Sequence, residues 1–233
     1  MYRRFGVEIE HNFPGGVYEA QRCLIDNEFH LWTRGIHRDA SLHRYDGVEI
    51  RSPILQGYEG FKELQAVFSL LKENGGYVDD ACGMHIHHDA PEFVDNIDNV
   101  KRLVWSWYQN QSTIEKFVND SRIYYNDNCS PWRENELHQF EYIQTIENVT
   151  INRGKNLNIR SLYRHGTIEV RLHEGTLEFD EAEAWIKFGQ KFIKNILNRV
   201  NPMPPIEETD LLLKRVKVNS PQRKILNLKA ERR

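Results

Sequence analysis

Four short segments of the chain combine apolar residues with a pair of charged or imidazole side chains at positions i and i+2. Side chains alternate between the two faces of a β-strand, so each segment has one apolar face and one face that carries its pair. Such segments predict strands of one sheet, with an apolar face against helices and a concave polar face. The pairs are Glu8/Glu10, Glu49/Arg51, His85/His87 and Glu169/Arg171.

Helical spacing of apolar residues dominates much of the remaining chain. The predicted helices cover residues 17–29, 59–74, 97–119, 134–147 and 180–200. Asp180 is the predicted N-cap of the last of these. Helices that follow and separate strands in this way predict an α+β domain with a mainly antiparallel, curved sheet and helices packed on one face.

Three further segments have weaker patterns. Residues 30–38 predict a strand, and residues 121–133 predict a loop that covers a cleft. Residues 156–162 and 166–173 predict a hairpin that turns at His165-Gly166. In its second strand, the polar face is predicted to carry His173 together with Glu169 and Arg171.

No internal repeat or linker divides the chain, so residues 1–200 are predicted to form one catalytic domain. Residues 201–233 begin with Asn-Pro-Met-Pro-Pro and end with basic residues, which predicts a charged extension that is partly helical or loose. Among the 233 residues, no apolar run approaches the roughly 18 residues of a membrane helix. We therefore expect no membrane partner.

Net charge and cysteine content limit which binding partners and which cellular compartment the sequence favours. A formal net charge of -3 gives no basis for a general nucleic-acid-binding surface. The N-terminal residues lack the apolar stretch of a signal peptide. Three widely spaced cysteines fit a reducing compartment, and we expect a cytoplasmic location.

The polar face of the predicted sheet fits a metal-dependent phosphoryl-transfer site. Crowded carboxylates repel one another, and hard divalent cations such as Mg²⁺ or Mn²⁺ relieve that repulsion. A nearby arginine adds a partner for a triphosphate. Three of the pairs, taken alone, also fit simpler interpretations: a solvated strand face for Glu8/Glu10, a zinc site for His85/His87, or a surface salt bridge for Glu169/Arg171.

Five motifs follow one another along the chain: Phe-Gly-Val-Glu-Ile-Glu (5–10), Asp-Ala-Ser (39–41) with Gly-Val-Glu-Ile-Arg-Ser-Pro (47–53), Cys-Gly-Met-His-Ile-His (82–87), Asn-Leu-Asn (156–158) and Gly-Thr-Ile-Glu-Val-Arg-Leu-His-Glu-Gly-Thr (166–176). In this order they resemble the amidoligase family, a branch of the glutamine synthetase and glutamate–cysteine ligase superfamily. The resemblance covers about residues 4 to 198. Gly-Met-His-Ile-His is similar to the Gly-Met-His-x-His segment of glutamine synthetases, and Ile-Glu-Val-Arg resembles their Glu-x-Arg strand.

The resemblance implies a glutamine-synthetase-like fold and an ATP-dependent ligase that forms an amide through an acyl-phosphate. It implies that Arg171 stabilises the transferring phosphate and that Asp39 lies beside Glu49. Glu49, Asp39 and a residue of loop 121–136 all remain candidates for the general base. The implied ligands of Mg²⁺ or Mn²⁺ are Glu8, Glu10, Glu49, His85 and Glu169, and the implied contacts to nucleotide or substrate are His87, Ser52, Asn158, Arg122 and Arg160. For Ser52, a cap on the end of the neighbouring strand is the alternative.

The implied partners are a small-molecule or peptide carboxylate and an amine. Members of the family are often encoded by bacteriophages or by bacterial conjugation and peptide-modification clusters, so a modified nucleobase also remains open as a substrate. Three other classes remain as alternatives: a guanidino-kinase-like phosphotransferase, a zinc hydrolase that uses His85, His87 and Glu10, and a binding module without activity. The oligomeric state is open.

Overall fold

One antiparallel sheet forms the centre of the fold. The computed structural model describes residues 3–38, 42, 45–124 and 126–232. Within these ranges six strands pair in the order β2-β3-β1-β4-β6-β5, and every neighbouring pair is antiparallel. The strands are β1 (Phe5–Asn12), β2 (Ile36–His37), β3 (Gly47–Arg51), β4 (Gly83–Asp89), β5 (Leu157–Asn158) and β6 (Thr167–Glu174).

Helices cover the apolar face of this sheet. Phe5, Val7 and Ile9 of β1 belong to one buried cluster that also contains the apolar stripes of the long helices. The α+β class with helices on one face is therefore confirmed. The helices are α1 (Gly16–Asp26), α2 (Gly57–Glu73), α3 (Pro91–Val94), α4 (Ile97–Ile114), α5 (Glu134–Glu141), α6 (Arg160–His165), α7 (Phe179–Leu197), α8 (Thr209–Arg215) and α9 (Ser220–Glu231).

The predicted hairpin of residues 156–173 is wrong in its first arm. Only two residues of that arm form β5, and the chain then turns into the short helix α6. Gly166 ends this helix with a left-handed φ of 65°, and its N–H donates to the carbonyl of Leu162 at 2.9 Å. Glycine adopts this conformation without the steric cost of a Cβ atom, so the helix can stop abruptly before β6.

A β-bulge in β6 corrects the prediction for His173. Met84 of β4 lies opposite His173, whereas Ile86 lies opposite Val170, so β6 has one extra residue between the two pairs. The extra residue reverses the alternation of faces along the strand. His173 consequently packs against Trp185 of α7 on the apolar side, with ring centroids 5.2 Å apart, and not on the polar face.

Several element boundaries also differ from the predictions; the helix predicted over residues 134–147, for example, ends at Glu141. Helix α7 begins at Phe179 after Glu178, so Asp180 lies in its first turn and is not the N-cap. The long helix of residues 97–119 ends at Ile114 and continues as a single 3₁₀ turn. The middle of the predicted strand 30–38 is a 3₁₀ helix at Trp32–Gly35, and only Ile36–His37 forms a strand, β2.

Side chains of α4 hold the segment that follows α7. The backbone N–H of Met203 donates to Ser106 Oγ at 2.8 Å, and that of Ile206 donates to Asn110 Oδ1 at 3.0 Å. Helices α8 and α9 follow, and α9 packs along α7. None of the described helices combines the length and the apolar character that a bilayer-crossing helix requires.

Two buried histidines predict a loss of stability in acid. Burial lowers the pKa of His11 to about 4 and that of His88 to about 3, from an ordinary value near 6.5. In the unfolded chain both histidines take up a proton as the pH falls below about 6.5. In the folded chain they stay neutral until the pH approaches their lower pKa values. The free energy of unfolding should then fall by up to about 1.4 kcal/mol per pH unit for each histidine.

Urea denaturation at pH 7 and pH 5 measures this effect. A variant with both His11→Leu and His88→Leu should show a smaller difference between the two pH values, because neither side chain then takes up a proton on unfolding. An equal pH dependence in the variant and the wild type would contradict this assignment.

Candidate active site

Strand register places the four predicted pairs on one contiguous polar surface. Residues that lie directly opposite each other in neighbouring strands project from the same face of a sheet. The register aligns these side chains in three rows across the sheet: His37, Glu49 and Glu10; Arg51, Glu8 and His85; and His87, Glu169 and Asn158. The concave polar face is therefore present as predicted.

Glu8 lies at the centre of this surface. His85 Nδ1 is 3.1 Å from Glu8 Oε2, and His87 Nε2 is 3.5 Å from Glu8 Oε1. Both of these imidazole nitrogens lie 3.9 Å from Glu169 Oε1. Burial alone would raise the pKa of Glu8, but the two neighbouring imidazoles hold it well below its ordinary range, so the carboxylate is charged at neutral pH.

A second group of carboxylates lies one row away. Glu10 Oε2 accepts the backbone N–H of Gly83 at 2.6 Å, while Glu10 Oε1 lies 3.6 Å from His85 Nε2. Glu49 Oε1 is 2.8 Å from Arg51 Nε and 3.0 Å from His37 Nε2. Glu10 and Glu49 are both buried and lie directly opposite each other in β1 and β3.

The donor set fits divalent cations. Glu8, His87 and Glu169 each place one ligand atom within 4.8 Å of the others. His85 Nε2 is buried and has no hydrogen-bond partner among the described residues, although it faces Glu10. A buried nitrogen without a partner is costly, and a metal ion between it and a carboxylate would satisfy both groups. The cluster thus offers mixed oxygen and nitrogen ligands to more than one ion position.

Arg171 closes the cluster on the β6 side. Its Nη1 donates to Glu169 Oε1 at 2.5 Å, and its Nε donates to the carbonyl of Asn128 at 2.8 Å. Asn158 Nδ2 donates to the other oxygen of Glu169 at 2.6 Å. These contacts hold Glu169 in one orientation and fix the plane of the guanidinium.

Arginines surround the acidic centre of a cleft of about 510 Å³. Arg153, Arg160 and Arg164 line the cleft beyond β5, and in the part of the chain that the structure describes no carboxylate pairs with any of the three. Arg160 and Arg164 are four residues apart on α6, where like charges repel. A multiply charged oxyanion would relieve this repulsion. The arginines that line the cleft are Arg38, Arg51, Arg153, Arg160, Arg164 and Arg171.

Two of the predicted contact residues lie outside the cleft lining. Arg122 is only 2% exposed, and its Nη2 donates to the carbonyl of Arg171 at 2.9 Å, beneath Gly83. Ser52 Oγ accepts the N–H of Val7 at 2.9 Å and donates to the carbonyl of Pro53 at 2.7 Å. Both side chains stabilise backbone around the cluster. Asp39 lies outside the described residues.

Several residues of the cleft were not predicted from the sequence. His37, Arg38, Asn128, Arg153 and Arg164 are in short loops or at strand and helix ends, where no periodic pattern identifies a face. A usable signal was the density of arginine between residues 153 and 171, next to the Asn-Leu-Asn motif. Such a density beside an acidic strand indicates an anion site.

Comparison with known proteins adds a family match. The sequence profile of the family described as "Putative amidoligase enzyme" matches residues 22–193, from α1 into α7. No curated protein matches the chain by sequence. Among solved structures, a bifunctional glutathione synthetase from Pasteurella multocida is similar with a TM-score of 0.49 and 12% identity, over 99% of this chain and 47% of that one. The chain thus spans about half the length of that protein, and the likeness carries no functional argument.

Proposed function

The chain belongs to the amidoligase family, and from this premise we propose that it is an ATP- and metal-dependent ligase that joins a carboxylate to an amine through an acyl-phosphate. The observation that supports the proposal most strongly is the cluster of four glutamates and two histidines between Arg51 and Arg171. Facing strands bring these groups together in one cleft with an arginine-rich wall.

Activation of a carboxylate by ATP needs neutralisation of the triphosphate and of the developing charge on the transferring phosphate. Bound Mg²⁺ or Mn²⁺ supplies part of that neutralisation. Glu8, Glu10, Glu49, His85 and Glu169 are the residues that would hold the ions. We propose that Arg171, whose guanidinium is held by Glu169 and Asn128, stabilises the transferring phosphate.

The arginine-rich wall is suited to anionic parts of the reactants. Arg160 lines the cleft beside Asn158, and we propose that both contact the nucleotide or the carboxylate substrate. His87 lies between this wall and Glu8. We do not assign Arg122 or Ser52 to substrate, because both are engaged with the backbone around the cluster.

The attacking amine must lose a proton, which requires a general base. Glu49 lies at the β2–β3 side of the cluster, on the opposite side of Glu8 from Arg171. We propose that Glu49 either binds a metal or accepts this proton, and that Asp39 is the other candidate base. Separate kinetic effects of Glu49→Gln and Asp39→Asn on ADP release and on amide formation would distinguish the two roles.

The test is ADP release by the purified protein with ATP, Mg²⁺ or Mn²⁺, and panels of carboxylates and amines. We expect ADP release that depends on the amine, together with an amide product that is detected by mass spectrometry. A stable phosphorylated product without an amide would identify a phosphotransferase. Tightly retained zinc, with hydrolysis that needs no ATP, would identify a zinc hydrolase. Failure to bind ATP at millimolar concentration with either metal would overturn the proposal.

A further inference from the structure

We infer that His87 is itself a metal ligand, that Thr167 positions it for this role, and that the resulting position with Glu8 and Glu169 prefers a first-row divalent metal such as Mn²⁺ to Mg²⁺. This inference rests on the proposed function and specifies its metal. Thr167 has no role in the function proposed above.

The distances around His87 Nε2 suit a shared ion better than a hydrogen bond. Nε2 lies 3.5 Å from Glu8 Oε1 and 3.9 Å from Glu169 Oε1. Direct N–H···O hydrogen bonds have lengths of about 2.7–3.2 Å. Two ligands that each lie about 2.1 Å from one ion are separated by about 3–4 Å, depending on the angle between them. The gap between these three side chains therefore has the size of an ion position.

Thr167 controls which nitrogen of His87 faces that gap. His87 Nδ1 lies 3.0 Å from Thr167 Oγ1, and a hydroxyl oxygen can accept the Nδ1 proton. With that proton on Nδ1, the lone pair of Nε2 is directed at Glu8 and Glu169. Thr167 is the first residue of β6, and its carbonyl accepts the hydroxyl of Ser161 at 2.6 Å, so its backbone is held in place.

The ligand types then set the preference for a metal. Mg²⁺ binds oxygen ligands and retains its waters, whereas imidazole nitrogen favours first-row transition metals. A position with two carboxylates and the His87 imidazole should therefore bind Mn²⁺ more tightly than Mg²⁺.

The experiment is a Mn²⁺ titration of the nucleotide-free protein, followed by electron paramagnetic resonance, with competition by Mg²⁺. Thr167→Val should weaken Mn²⁺ binding about 10-fold and Mg²⁺ binding less, as for other groups that orient a ligating histidine. Thr167→Ser, which keeps the hydroxyl, should restore binding. Thr33→Val is the matched control, because it removes a threonine hydroxyl bonded to the His30 carbonyl away from the cleft.

Pulsed electron paramagnetic resonance adds a measurement that distinguishes the loss of a ligand from the loss of the fold. The bound Mn²⁺ should show coupling to histidine nitrogen, and His87→Gln should reduce that coupling while the melting temperature is kept. Unchanged Mn²⁺ affinity in Thr167→Val, or undiminished nitrogen coupling in His87→Gln, overturns the inference but leaves the ligase proposal standing. Mn²⁺ binding with the expected variant effects, but without amide formation, supports the inference while the ligase proposal fails.

Discussion

Replacing Glu169 with glutamine should lower the affinity for Mn²⁺ by about 100-fold or more, since loss of even an outer contact to a metal ligand costs 10–100-fold. Glu169 contacts several side chains of the cluster. Its carboxylate accepts from Asn158 and Arg171 and lies 3.9 Å from both His85 and His87. Glutamine keeps the volume and one acceptor oxygen but removes the charge that brings a cation into the cluster.

Isothermal titration with Mn²⁺, and with Mn²⁺ plus a non-hydrolysable ATP analogue, measures this effect. ADP release should fall with metal affinity, because the same ions are expected to neutralise the triphosphate. Glu73→Gln is the matched control: Glu73 is exposed at the end of α2, and its substitution should leave both affinities unchanged. Wild-type metal and nucleotide affinity in Glu169→Gln would contradict the placement of the metal position.

The second large effect is expected far from the cleft, at Lys229 of α9. Its ammonium contacts Glu174 at the end of β6 and lies 3.2 Å from Glu181 of α7. The Lys229 and Glu174 side chains are only 11% and 9% exposed. Removing one partner of a buried ion pair leaves a charge without compensation, which costs about 3–5 kcal/mol. Lys229→Ala should therefore lower the free energy of unfolding by about 3 kcal/mol.

Chemical denaturation of Lys229→Ala tests the prediction, and two further variants locate its cause. Adding Glu174→Gln should recover part of the loss, because the uncompensated charge is then absent. Lys214→Ala is the control: its pair with Asp210 is exposed, and exposed pairs contribute about 0–1 kcal/mol. Equal, small losses at Lys229 and Lys214 would show that burial adds nothing to this contact.

The pH dependence of the Glu174 contact has a defined sign. Burial would raise the pKa of Glu174, but His173 and Lys229 hold it at about 2, below its ordinary value of 4.5. The ionised carboxylate therefore contributes its full stability above about pH 4.5 and loses it as the pH falls toward 2. The effect of the buried histidines begins near pH 6.5 and that of Glu174 near pH 4.5, so acid should weaken the fold over two overlapping ranges.

Local alternation was enough to predict the central strands and their faces. In β1, β3 and β4 the apolar residues stand at alternate positions (Phe5, Val7 and Ile9; Val48 and Ile50; Met84 and Ile86). This period of two identifies the buried face without knowledge of any partner strand. Neighbouring strands cannot be ordered from such patterns, because pairing depends on distant segments. The rows that join His37 to Glu10 and His87 to Asn158 became visible only with the register.

The errors arose where tertiary contacts override a short pattern. Leu157 to Arg160 alternates as a strand would, yet α6 begins at Arg160 because Leu162 is buried against the core and Gly166 permits the exit from the helix. The roles of Arg122 and Ser52 were implied by the family resemblance, and both side chains bond to backbone in the structure. Sequence position does not determine whether a loop side chain faces a cleft or the backbone beneath it.

Because of the bulge, β6 contributes side chains both to the cleft and to the contacts with helices α7 and α9. Before it, Glu169 and Arg171 project into the cleft; after it, His173 packs against α7 and Glu174 binds α9. The function of this strand therefore depends on the number of residues between Glu169 and Glu174 as much as on which residues they are. A deletion of one residue within this stretch would keep nearly all of the composition, but it would direct an imidazole toward the cleft and displace the anchor of the last helix. A redesign of this protein should therefore keep the length of β6 unchanged as well as the residues of β6 that face the cleft.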